Sequence, residues 1–318
     1  MTNNSKKYSI AIGLLRTARP RQWIKNLSLF AALFFSGFLF YENYFFIVLW
    51  ASFIFTIITA SIYIFNDIID APQDKLHPFK KKRPIPSGQL PISIATFAAI
   101  SGFFIGSLLA WNLSPFFFIL VLSYILLHFT YGLKLKSIPI LDVFSIAGGF
   151  IIRVYAGALV VNLHMSVWFL LTVVSSALFL AVGKRQSERT LLTGIDSDLH
   201  GHRVTLSRYT QRLLDIYTGM FANATWLSYA LFSFNYHQVK PQGFLLSLYT
   251  IFPKTFNSEK LLMASVPLVI YGVMRYLQLV YEQNKGESPE RVLLSDKPLI
   301  FAIIGWVFIV FTIIYWLI

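Results

Sequence analysis

Residues 65–74 read Phe65-Asn66-Asp67-Ile68-Ile69-Asp70-Ala71-Pro72-Gln73-Asp74. On an ideal helix, at about 100° per residue, Asn66, Asp67, Asp70 and Asp74 fall within about a 100° arc and share one face. Three carboxylates on one face repel unless a cation sits among them. Carboxylate and amide oxygens suit a hard ion, and Mg²⁺ shared with a phosphate group is the usual case. The plainer alternative is a solvated helix end that happens to carry acids.

What flanks the stretch favours the metal reading. Upstream, residues 45–66 form an apolar run with helical length. Downstream comes Lys80-Lys81-Lys82-Arg83-Pro84-Ile85-Pro86-Ser87-Gly88. That basic run suits either lipid headgroups or the oxygens of a phosphate held beside the aspartates. Pro72 removes a helical hydrogen bond and favours a kink, so Asp74 is open to lying on a turn instead of the helical face.

Composition extends the reading to the whole chain. The 318 residues are 56% hydrophobic, 17% aromatic and 13% charged, and mean hydropathy is +0.63. A soluble domain of this size needs no such apolar surface, so the chain reads as an all-α polytopic membrane protein. Nine spans are expected, near 24–40, 45–66, 91–111, 116–131, 139–160, 167–184, 211–233, 260–281 and 298–318. They form a single transmembrane domain over 1–318, opened by a basic segment at 1–23. The first residues show no secretory leader pattern.

The net charge is +13 and there are no cysteines, which excludes disulfides, thiol catalysis and thiolate metal sites. Basic residues crowd alternate loops. Placing the N-terminus in the cytoplasm leaves only Lys240, Lys254 and Lys260 outside, which predicts an N-in, C-out topology. Every candidate chemical group then lies at or near the cytoplasmic face of the cell membrane. The basic residues sit in short loops and build no soluble domain, so nucleic acid is excluded as a partner.

Further motifs join the first. Arg19-Pro20-Arg21-Gln22-Trp23-Ile24-Lys25-Asn26 precedes the first span and reads as a basic interfacial anchor or as a phosphate grip through Lys25. Tyr131-Gly132-Leu133-Lys134 ends the fourth span. On the fifth, Asp142, Ser145, Gly149 and Arg153 make one polar stripe. Arg153 lies about 20 Å along that helix. A charge at such depth marks either a functional site or a structural ion pair with an aspartate. Lys184-Arg185-Gln186-Ser187-Glu188 ends the sixth span: Lys184 and Glu188 are spaced to pair, and two adjacent cations suit a sugar phosphate. Asp196 and Asp198 read as a solvated loop. His77, His128, His164, His200, His202 and His237 show no ligand spacing.

Asn66-Asp67-x-x-Asp70-x-x-x-Asp74 resembles the first aspartate-rich motif of the UbiA superfamily of intramembrane prenyltransferases, and the nine-span layout agrees. Most members carry a second aspartate-rich motif after the sixth span, where this chain has Gly183-Lys184-Arg185-Gln186-Ser187-Glu188-Arg189. That departure looks like the decaprenyl-phosphate phosphoribosyltransferase branch. So do Arg19-Pro20-x-Gln22-Trp23-x-Lys25-Asn26, His77-Pro78-x-Lys80 with Arg83-Pro84-Ile85, Gly132-Leu133-Lys134, Arg153-x-x-x-Gly157 and Ala181-x-Gly183-Lys184-Arg185-x-x-Glu188.

The resemblance implies transfer of 5-phosphoribosyl from phosphoribosyl pyrophosphate to a polyprenyl phosphate, with Mg²⁺ as cofactor. The product would feed arabinose donors for the cell envelope. It implies metal ligation by Asn66, Asp67, Asp70 and Asp74. Substrate binding would fall to Lys25, Lys80, Arg83, Tyr131, Lys134, Asp142, Arg153, Lys184, Arg185 and Glu188. Two other readings remain: a UbiA-type prenyltransferase acting on an aromatic or lipid acceptor, and a transporter using Asp142 and Arg153 as a charge relay. The many aromatic residues suit contact with membrane lipids or with a second copy in a homo-oligomer.

Overall fold

The protein is seen in a computed structural model that describes residues 2–76, 80–193, 209–236, 260–282, 292 and 295–316. Among these residues every regular element is helical: α1 (Thr2–Thr17), a 3-10 segment (Pro20–Leu29), α2 (Phe30–Phe35), α3 (Glu42–Leu76), α4 (Ile92–Leu113), α5 (Pro115–Leu133), α6 (Leu141–Val160), α7 (Val167–Thr193), α8 (Gln211–Asn235), α9 (Val266–Tyr281) and α10 (Lys297–Phe311). Short 3-10 turns intervene at Lys80–Lys82, Leu135–Ser137 and Leu261–Ser265.

Seven described helical stretches are long and apolar enough to cross a membrane: Glu42–Leu76, Ile92–Leu113, Pro115–Leu133, Leu141–Val160, Val167–Thr190, Leu261–Tyr281 and Lys297–Trp316. Two of the nine expected spans are not among them. Helix α8 is long enough, but Asp215, Thr218, Asn223, Thr225, Ser228 and Ser233 dilute its apolar character. The expected span over 24–40 is not one helix. Pro20 opens a 3-10 stretch, and the chain breaks after α2 at Ser36 and Gly37, whose φ is 82°. Ten residues of 3-10 helix is unusually long. Asn26 and Leu29 are buried here, and irregular backbone at membrane depth is tolerated where protein encloses it.

The chain gathers into two compact units, Met1–Leu135 with Ile152–Leu163, and Lys136–Ile151 with His164–Ile318. In the first, α3 is the central element. Leu33, Ile54, Phe55, Ile58, Phe117 and Val121 form its buried core. Small residues set the helix approaches. Gly106 of α4 faces the Ile58 side chain, and Gly157 of α6 lies against the backbone of Leu29. A Cβ at Gly157 would overlap the Leu29 carbonyl, and backbone yields less than a side-chain tip. Gly157→Ala is therefore expected to destabilise the protein by about 1–3 kcal/mol, read as a lowered unfolding midpoint in detergent.

In the second unit α7 packs along α8, and α9 packs against α10. The cores are Ala177, Leu178, Ala181, Val182 and Leu214 on one side and Phe179, Val273, Tyr276 and Leu299 on the other. Gly183 lets the Tyr276 ring approach α7 closely. Large apolar side chains such as Phe97, Phe104, Trp111, Phe301 and Phe308 point outward. Lipid tails are as apolar as these groups, so their exposure suits a bilayer.

Candidate functional site

Helix α3 runs unbroken through Pro72 to Leu76. Asp74 therefore stays on the helix with Asp67 and does not enter a turn, and both acids are buried. The basic run that follows folds back over them. The Arg83 N–H closes the 3-10 turn on the Lys80 carbonyl, and the Leu90 N–H donates to the Pro84 carbonyl. Gly88, at φ +79°, makes the reversal. Ile85 and Leu90 sink into a cluster with Ile64, Ala71 and Ala95. These apolar anchors hold Arg83 over α3.

The outcome is a cationic layer over two carboxylates. Arg19 Nη2 donates to Asp67 Oδ1 at 2.5 Å, and Arg83 Nη1 lies 3.4 Å from the same oxygen. Arg83 Nη1 also donates to Asp74 Oδ2 at 2.7 Å, while Lys80 Nζ stands 3.9 Å from Asp74 Oδ1. The Asp67 and Asp74 side chains are each 5% exposed, against 36%, 32% and 48% for Arg19, Arg83 and Lys80. The like charges expected to require a metal are thus relieved here by the protein's own cations.

Asn66 and Asp70 are half-buried on the same helix. Gly132, at the end of α5, faces the Asn66 amide oxygen, so the Tyr131–Lys134 segment adjoins the motif. Lys134 is exposed and Tyr131 half-buried. His77 and Pro78 of the extended motif lie outside the described residues, as do Asp196, Asp198, His200, His202 and His237.

Arg153 sits in a separate buried cluster of the first unit. Its Nε donates to Asn26 Oδ1 at 2.9 Å, a second guanidinium nitrogen meets the Tyr124 hydroxyl, and the group lies 4.7 Å from the centre of the Tyr124 ring. Asn26 in turn donates to Thr56 Oγ1 at 2.9 Å. Neutral oxygens and a π-face thus stand against this charge. Lys25, next to Asn26, is half-buried.

In the second unit the polar stripe of α6 meets the end of α7. Arg185 is fully enclosed. Its Nε lies 2.8 Å from Asp142 Oδ2, and Nη1 pairs with Glu188. Two carboxylates thus engage the guanidinium that the sequence assigned to a phosphate. Asp142 is equally enclosed. Lys184 is one-third exposed, with Nζ 4.0 Å from Glu188 Oε1, the pairing its spacing suggested. Tyr209 donates to Asp142 Oδ1 at 2.8 Å and accepts the Ile140 N–H at 2.6 Å. Burial, then the Asp142 carboxylate, raises the Tyr209 hydroxyl above the usual phenol range, so it stays protonated and donates.

Sequence reasoning missed Arg19 as a carboxylate partner, Tyr124 beneath Arg153, Tyr209, and Asp215, whose Oδ1 receives Gln186, Gln211 and Tyr281. Only Arg19 had a signal, its place in a motif.

Among the described residues no three His, Cys, Asp or Glu side chains stand close enough to enclose a metal ion. The donor set of Asn66, Asp67, Asp70 and Asp74 is nevertheless all hard oxygen on one helix face, with Asp67 and Asp74 buried. It fits Mg²⁺ in kind, provided the guanidinium at Asp67 gives way.

The profile of the UbiA prenyltransferase family matches residues 26–293. The decaprenyl-phosphate phosphoribosyltransferase of Corynebacterium glutamicum is 30% identical, over 96% of this chain and 88% of its own length. The enzyme of the same name from Mycolicibacterium smegmatis is 30% identical, over 94% of this chain and 91% of its own. Among solved structures, a UbiA homologue from Archaeoglobus fulgidus bound to GPP and Mg²⁺ superposes with a TM-score of 0.64 at 17% identity, covering 95% of this chain and 99% of that one. That last likeness concerns the fold alone.

Proposed function

Because this chain belongs to the UbiA prenyltransferase family, we propose that it transfers the 5-phosphoribosyl group of phosphoribosyl pyrophosphate to a polyprenyl phosphate, releasing pyrophosphate. The chain is an integral membrane protein and a transferase. The observation that carries the choice of reaction is the Gly183–Glu188 segment. In place of a second acidic motif it holds a one-third-exposed lysine braced by Glu188, beside an arginine locked to Asp142. The relatives that align along nearly the whole chain bear the phosphoribosyltransferase name.

The chemistry asks the protein for positioning and charge stabilisation. Departure of pyrophosphate leaves oxocarbenium character on the sugar and negative charge on the leaving group. When bound, Mg²⁺ supplies neutralisation of that growing charge. Asn66, Asp67, Asp70 and Asp74 would hold it. Arg83 and Lys80 are partly exposed above these acids and would grip the leaving diphosphate. Lys184 would take the 5-phosphate, with Glu188 orienting its ammonium and Arg185 and Asp142 fixing Glu188. Lys25, Lys134, Tyr131 and Arg153 are assigned to the acceptor phosphate. That group is already anionic, so no general base is needed. The acceptor attacks opposite the leaving group, and the anomeric centre inverts. The crowding of Lys and Arg in alternate loops supports a cytoplasmic site with the N-terminus inside.

The test uses purified protein in detergent with Mg²⁺, ribose-labelled phosphoribosyl pyrophosphate and a polyprenyl phosphate. Label is expected in the lipid extract, on a product of inverted anomeric configuration. Label that stays aqueous while a prenyl diphosphate and an aromatic acid react would point to prenyl transfer. Retention of configuration would overturn direct displacement.

A further inference from the structure

Arg19 stands where backbone economy does not want an arginine. Its φ of 53° and ψ of 65° lie in the left-handed region, which L side chains enter at a cost and which Gly or Asn fills more readily. The strained position directs its guanidinium to Asp67 Oδ1 at 2.5 Å and over the Tyr63 ring at 5.0 Å. From the solvent side, Arg19, Lys80 and Arg83 come first and the carboxylates of Asp67 and Asp74 lie behind them. Asp70, one turn on from Asp67, adds a third carboxylate, half-buried on the same helix. A bare divalent cation therefore meets a front of its own sign before it meets an acid. A metal–diphosphate complex carries net negative charge and meets attraction.

Resting on the reading of Asp67 as a metal ligand, we infer that Arg19 competes with the divalent cation for Asp67, so that metal enters together with the diphosphate. The diphosphate oxygens draw the Arg19 guanidinium away, and Asp67 Oδ1 becomes a ligand only then. Magnesium prefers such shared coordination, since it sheds water reluctantly and takes one or two carboxylates plus substrate phosphate. Linkage makes the effect reciprocal: the factor by which diphosphate tightens metal equals the factor by which metal tightens diphosphate. Arg19 sets that factor by blocking the site until both arrive. An idle enzyme then holds no metal poised over an empty sugar site.

The experiment reads binding, not turnover. Full-length protein in detergent is titrated with Mn²⁺ alone and with Mn²⁺ plus equimolar pyrophosphate, following the free-ion EPR signal. Arg19→Gln is expected to tighten Mn²⁺ alone by about tenfold and to weaken retention of Mn²⁺ with pyrophosphate by about tenfold. Arg19→Lys keeps the charge but loses the fork; it falls between the two and carries the test where the Gln variant misfolds. Arg16→Gln removes an exposed charge from the preceding helix and leaves both values unchanged. If Arg19→Gln fails to tighten Mn²⁺ alone while wild type still takes up Mn²⁺ with pyrophosphate, the competition is overturned and the metal site stands. If Arg16→Gln tightens Mn²⁺ equally, only bulk charge is at work and the inference fails. If wild type takes up no Mn²⁺ even with pyrophosphate, and Asp67→Asn changes nothing, the metal reading falls and takes the competition with it.

Discussion

Asp67→Asn is expected to abolish the proposed phosphoribosyl transfer, with a loss in kcat of about 10³-fold or more measured by the lipid-extraction assay. The substitution is isosteric. It removes one negative charge from a side chain that is 5% exposed and bonded to Arg19. Arg19 itself is 36% exposed, so its orphaned guanidinium finds water and the fold is retained. What is lost is the anionic ligand that would hold a divalent cation against the leaving diphosphate. Asn66 is uncharged and cannot replace it, and Asp70 and Asp74 leave the set one anionic ligand short. A solvated, inert helix end predicts the opposite result, a rate within twofold of wild type. Pairing Asp67 with Arg19 adds a control: Arg19→Gln lowers transfer through diphosphate binding but leaves Asp67 able to ligate. The two variants therefore differ in how far saturating substrate restores the rate.

Arg185→Met destabilises the protein by about 3–5 kcal/mol, read from equilibrium unfolding in detergent. Arg185 and Asp142 are both fully enclosed, with Nε 2.8 Å from Oδ2. Removing the guanidinium leaves the Asp142 carboxylate buried with, among the described residues, the Tyr209 hydroxyl to stabilise it. Glu188 is better placed, at 16% exposed, and turns to water. Arg185→Met combined with Asp142→Leu recovers most of the loss, since neither charge is then stranded in an apolar interior. A loss under about 1 kcal/mol for the single variant would mean that water reaches the pair. A phosphate-gripping arginine predicts a raised KM for the sugar donor with unaltered stability, so the two roles separate cleanly.

Much of the fold was legible because the bilayer is a severe solvent. It permits only closed backbone hydrogen bonding, and helices of sufficient apolar length announce themselves. The spans from α3 to α7 fell close to expectation. Two are not confirmed as spans. Residues 24–40 are apolar enough to look like a span, but Pro20, buried Asn26 and the Ser36–Gly37 break impose 3-10 geometry. Helix α8 has the length of a span with the polarity of a packed interface, since its small hydroxyls bond back to their own helix, as Thr218 does to the Leu214 carbonyl. Periodicity does not distinguish a neighbour made of protein from one made of lipid.

The candidate site divides in the same way. The common face of Asn66, Asp67, Asp70 and Asp74 follows from helical pitch, a local property that four residues and a period suffice to set. Sequence alone also determined that the chain is helical, that it is built for a membrane and that its basic residues crowd alternate loops. Tertiary structure alone decided what each charge touches. Arg19 reaches Asp67 across 48 positions of sequence and Arg153 reaches Asn26 across 127, while Arg185 pairs with Asp142. Electrostatic energy falls with distance in space and is indifferent to distance along the chain. An arginine's partner is therefore settled only when packing has brought the helices together and driven out the water that would otherwise have solvated it.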